Sequence, residues 1–86
     1  MKDKFVKLPQ QWSDYLQSQP ETGMDYHVVT LTMQDGTKIE DVAIIGSHII
    51  GEIRQVGIIR EKKELPFDPK EIESIEVTHR KWQFRR

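Results

Sequence analysis

The sequence predicts a mainly-β domain: a small, strongly bent antiparallel barrel with one short N-terminal helix. Three observations carry that expectation. From Tyr26 onward the apolar period is two, with Val29, Leu31 and Met33 on one side and Val28, Thr30 and Thr32 on the other. An Asp35-Gly36 pair follows, the dipeptide of a tight hairpin turn, because glycine takes positive φ without steric cost. On the return strand Ile39 is followed by Val42 and Ile44, so the alternation breaks at Glu40-Asp41. A bulge there restores the phase and bends the strand, as curling a small sheet requires.

The elements follow in order. "LPQQWSDYLQSQP" is the helix, over about residues 8 to 18, with Leu8, Trp12, Tyr15 and Leu16 on one face. Pro9 suits its first turn, and Pro20 and Gly23 end it. So short a helix must dock to be stable. After the hairpin, a turn at "GSH" leads to a third run, "IIGEIRQVGIIR", where Gly51 and Gly57 predict a bend or break near Gln55–Gly57. "EKKE" is a solvated loop or hairpin tip. "LPFDPKEI" is no central strand, because it holds two prolines; Asp68 capping Pro69 predicts one 3₁₀ turn. "ESIEVTH" is the last strand, with Ile75 and Val77 inward.

The 86 residues make one domain, residues 1 to 86. A chain of this size buries only roughly 60–65% of the surface its unfolded form exposes, so its core is modest. With no cysteine, disulfides and thiolate metal sites are excluded. "MKDKFVKLPQQW" lacks the apolar core of a signal peptide, and no run reaches the ~20 residues of a membrane span. A cytoplasmic protein with no membrane contact is expected. The net charge of −1 favours no partner, but "HRKWQFRR", residues 79 to 86, is densely basic.

The helix "LPQQWSDYL" followed by "VVTLTMQDGTKIEDVAIIG" resembles the Sm/Lsm (Hfq-like) family of SH3-like barrels. The resemblance covers most of the chain in layout and is most specific from Val28 to Ile50. Counting from Asp35-Gly36, the family's bend glycine falls at Asp41, and the Asp and Asn of its nucleotide pocket fall at Ser47 and Gly51. The Arg-Gly of its second motif has no clean counterpart: "IIRE" lies upstream, and "PFDP" occupies the expected place. The resemblance implies a cyclic homo-oligomer of about five to seven subunits, closed by pairing strand edges head to tail. Val56, Ile58, Ile59, Ile75 and Val77 are the expected interface, Val56 to Ile59 because they crowd a short stretch and Ile75 and Val77 because they lie on the last strand. Val28, on the outer face of its strand, adds spare apolar surface.

No catalytic constellation, phosphate loop, zinc motif or cofactor signature appears. His27, His48 and His79 fall in different elements without ligand spacing and read as surface or strand-end residues. Glu40-Asp41 reads as solvated carboxylates on a curved edge, and Phe67 as a plug for the barrel end. The candidate nucleic-acid contact is the last segment, where Trp82 and Phe84 alternate with Arg80, Lys81, Arg85 and Arg86. Cations neutralise phosphates while aromatic faces stack on bases of RNA or single-stranded DNA. The competing expectation is a protein–protein adaptor of the same fold, with Trp82 and Phe84 packed on a neighbour.

Overall fold

The structure, a computed structural model, describes residues 6 to 78. Strand β1 (Val6–Lys7) precedes helix α1 (Gln10–Gln17); then come β2 (Tyr26–Met33), β3 (Lys38–Ile45), β4 (Ile49–Ile53), β5 (Gly57–Ile58) and β6 (Ile72–Val77). Two 3₁₀ turns, Lys62–Glu64 and Pro69–Glu71, lie between β5 and β6. All strands form one antiparallel sheet in the order β1-β4-β3-β2-β6, with β5 also on β4. The sheet is a strongly curled half-barrel, consistent with a small SH3-like or Sm-like barrel.

The curl comes from three places where one strand carries an extra residue. Val29 faces Val42 and Leu31 faces Ile39, so Thr30 alone stands against Glu40 and Asp41. This is the bulge that the broken alternation predicts, and Asp41 sits there at φ 57°. Aspartate tolerates the left-handed region better than most residues. Gly51 is the extra residue on β4, between Ile50 opposite Ile44 and Glu52 opposite Ala43. Glu73 is the extra residue on β6. Each bulge raises the local twist, so an apolar pattern that would face a flat core wraps around a round one.

The turns match their residues. Gly36, at φ 92°, donates to the Met33 carbonyl at 2.9 Å, and the Met33 N–H donates to Thr37 at 2.8 Å. Asp35 keeps a negative φ, so the turn is a three-residue loop with a glycine bulge rather than a two-residue one. Gly46 and Ser47 are both left-handed, and His48 N–H bonds to the Ile45 carbonyl, which is the primed turn that suits twisted strands. The third run breaks at Arg54–Val56, and Gly57 restarts it at φ 113°. Asp68 accepts the Lys70 N–H at 3.0 Å, with Pro69 in the first 3₁₀ position.

Leu16, Val29, Leu31, Val42, Ile44 and Ile53 form the centre of the core. Full burial of each such side chain stabilises by about 1.5–3 kcal/mol. Helix α1 starts two residues later than its apolar spacing suggests, because Pro9 is its N-cap: the Pro9 carbonyl accepts the N–H groups of Trp12 and Ser13. Its docking face carries Leu16 and Trp12, and Trp12 meets Tyr15 edge to face at 6.2 Å. Ile75 is buried and Val77 half-buried, both packed with the core, and Phe67 packs against its end. Val28 is not spare surface: with Ala43 it forms a second buried cluster on the outward face, under Tyr26.

Asp41 generates a prediction. Asp41→Ala should destabilise the fold by about 1–2 kcal/mol, the cost of alanine in the left-handed region. Asp41→Gly should cost less, since glycine accepts that backbone. Urea denaturation of both variants checks the order; equal losses would place the effect in the side chain.

Candidate functional site

Two strand edges and one cavity stand out. The outer edge of β4 is covered at one end by β1, with Val6 opposite Ile50, and at the other by β5, with Ile58 opposite Glu52. β1 and β5 pair only with β4, and β6 only with β2, so among the described residues the half-barrel has unpaired edges on β6 at one end and on β1 and β5 at the other. Such edges present rows of N–H and C=O groups to another chain. Val56 and Ile58, 49% and 57% exposed, lie at the β5 edge. The β5 and β6 edges differ in charge. Residues 54 to 63 carry Arg54, Arg60, Lys62 and Lys63 against Glu61. Residues 71 to 77 carry Glu71, Glu73 and Glu76 and no cation.

The expected interface residues divide. Val56 and Ile58 are available to a partner. Ile59 and Ile75, 1% and 6% exposed, point into the core, because alternation after Gly57 sends Ile58 out and Ile59 in. Their side chains cannot form the contact; only the backbone of their strands can. Val77 is half-buried. Arg80, Lys81, Trp82, Phe84, Arg85 and Arg86 lie outside the described residues, as does His79.

The positions of the family's nucleotide pocket hold no pocket side chain. Ser47 is buried in the β3–β4 turn. Gly51 has no room for one, since a Cβ there would sit 2.7 Å from Ile45 Cγ1. Glu40 and Asp41 do not act as a pair: Glu40 is exposed, while Asp41 Oδ2 lies 3.6 Å from Arg54 Nε and its carbonyl accepts the Arg54 N–H.

His27 corrects the expectation of a surface histidine. It is 1% exposed, its Nε2 lies 3.1 Å from the Gln19 carbonyl, and its Nδ1 has no partner among the described residues. The signal was present in the sequence, because His27 shares the parity of Val29, Leu31 and Met33. His48 is exposed, with Nδ1 2.8 Å from the Gly46 carbonyl. Among the described residues no group of side chains could hold a metal ion, and no helix is long and apolar enough to cross a membrane.

The cavity, about 240 Å³, opens at the barrel end between the β2–β3 hairpin and the "PFDP" loop. Met33, Ile39, Pro66 and Phe67 give it apolar walls. Asp35, Asp68 and Glu71 give it three carboxylates, and no cation lines it among the described residues. The Thr37 backbone N–H, bonded to Asp35 Oδ1 at 2.9 Å, holds the Asp35 carboxyl below its ordinary value. Near the β5 edge, Glu64 is lowered likewise by the N–H groups of Arg60 and Glu61, at 2.6 and 3.0 Å. That makes "EKKE" a capped 3₁₀ turn, exposed but ordered by a reciprocal Glu61–Glu64 capping box, which the spacing of its two glutamates signals.

Compared with known proteins, the chain matches no family model, no curated protein and no solved structure.

Both depressed carboxyls have the same sign. Their contribution to stability is present above the unfolded carboxyl's range and is lost as pH falls through the lower folded value. An NMR pH titration should therefore move the Thr37, Arg60 and Glu61 amide signals with midpoints below the ordinary carboxylate range. Midpoints at or above that range would contradict the two hydrogen-bonded caps.

Proposed function

We propose that this protein is a non-catalytic assembly module of the Sm-like type, which pairs the β5 edge of one copy with the β6 edge of the next and closes into a ring. The observation that carries the reading is that unpaired edges lie at opposite ends of one curled sheet, the β5 edge cationic and apolar and the β6 edge acidic. Unlike edges on one molecule favour a head-to-tail contact, and closure leaves neither the β5 nor the β6 edge free. The small core supports it too, since pairing satisfies backbone groups and buries Val56 and Ile58 together. The resemblance suggests about five to seven subunits per ring.

A second reading rests on one sequence feature, the alternation of cations with Trp82 and Phe84 in residues 79 to 86. On it, the assembled subunits contact RNA or single-stranded DNA through those segments rather than through Ser47 and Gly51. An adaptor or structural subunit would assemble without such contact.

Light scattering across a concentration series tests the ring. A multiple of the monomer mass is expected, and Ile58→Asp, a change at an exposed site, should weaken association at least about tenfold, or 1.4 kcal/mol. Glu73→Lys with Glu76→Lys should do the same. A monomer at every concentration up to roughly 100 µM, above the micromolar range of weak interfaces, would overturn the proposal. Retention on single-stranded RNA at low salt, falling steeply with salt and lost on removal of Lys81 to Arg86, is expected of the second reading. Unchanged retention after that removal, or none at all, leaves the adaptor.

A further inference from the structure

The cavity at the barrel end fits none of the contacts above. It offers carboxylates around a flat apolar surface: Asp35, Asp68 and Glu71 at the rim, Ile39 and Phe67 within. The Thr37 N–H holds the Asp35 carboxyl below its ordinary value, and Asp68 and Glu71 are exposed. Three carboxylates gathered at one rim with no cation among the described lining residues favour a positively charged guest. The walls ask for an aromatic or alkyl body on the same guest.

One segment of this chain has that chemistry. Lys81–Arg86 reads Lys-Trp-Gln-Phe-Arg-Arg, with three cations flanking two aromatic rings and no carboxylate side chain. Reach favours a second copy as its source. The cavity lies beside Glu71, at the start of β6, whereas Thr78 leaves the other end of β6, bonded to Val28. Six strand residues separate the two ends, about 20 Å. Eight residues follow Thr78 and span at most about 29 Å, so a return to the same chain's cavity would use most of that length retracing β6. A neighbouring copy carries no such requirement.

We propose that the cavity is a docking site for Lys81–Arg86 of a second copy of this chain, with an aromatic ring against Phe67 and Ile39 and the cations on the carboxylate rim. Carboxylates around an aromatic face resemble a nucleotide strand, with its phosphates and bases, so the cavity and a nucleic acid would compete for the same segment. The contact uses neither Val56 nor Ile58, and is therefore separate from the edge pairing.

The chain has no cysteine, so one can be placed at will. Lys70→Cys, beside Glu71 but outside the cavity wall, carries a nitroxide spin label on full-length protein without isotope enrichment. This is mixed with unlabelled, ¹⁵N-enriched full-length protein. Broadening of the Trp82 indole N–H and the Lys81–Arg86 amides in the enriched copies is expected, weakened by salt. Adding Glu71→Lys to the spin-labelled copy should reduce it several-fold. No broadening in the mixed sample, broadening found only when both labels share one chain, or broadening indifferent to Glu71→Lys would each overturn the proposal. Repeating the mixture in the Ile58→Asp background separates failure of this contact from failure of the edge pairing.

Discussion

The backbone reversal at Asp41 is the constraint on which the rest depends. Without an extra residue opposite Thr30, the pairing of Val29 with Val42 would force Leu31 to face Glu40, and Ile39 would leave the core. One left-handed residue keeps Ile39, Val42 and Ile44 on the inner face across the bend. Asp41 also fastens the bend to the next turn, since its carbonyl accepts the Arg54 N–H and its carboxylate lies against the Arg54 guanidinium. The bend therefore fixes where β4 ends and where β5 begins.

Curvature explains why the sheet stops open. β4 is five residues long and β5 only two. Gly57 turns the chain back, and Ile59 then dives into the core. β6 returns to the other side of β2, where Ile72 and Ile75 fill the inner face. Helix α1 brings Leu16 into the same core, and β1 covers part of the β4 edge. The β5 and β6 edges, with the short outer edge of β1, are what the described fold leaves for another chain, and the charges of β5 and β6 differ because their outward residues are chosen independently of the core.

Much of this is legible in the sequence, for local reasons. The bulge shows as a broken alternation at Glu40-Asp41, the break in the third run as Gly57, and the 3₁₀ turn as Asp68-Pro69. Strand β1 is not legible, since Val6–Lys7 carries too few residues for a period and owes its extension to pairing with β4. Ile59 was expected at an interface because "VGII" crowds apolar residues, and Ile75 because it lies on the last strand, although its alternation already turned it inward; apolar crowding alone does not say which side faces the core. For Ile59 that depends on the phase after Gly57, which the fold settles. The cavity brings together residues from 33 to 71 and has no local signature at all. Val28 and Ala43 share the outward face, and only their burial under Tyr26 reveals a second apolar cluster.

The central claim is that the free edges of the half-barrel are satisfied by other copies. Amide hydrogen exchange, followed residue by residue at low and high protein concentration, tests it most directly. The account predicts that the N–H groups of Gly57–Ile58 and Ile72–Val77 that do not pair within the sheet become protected as concentration rises, while the exposed amides of Gln10 and Gln11, in the first turn of helix α1, do not change. Exchange at both edges that stays fast and independent of concentration would contradict it.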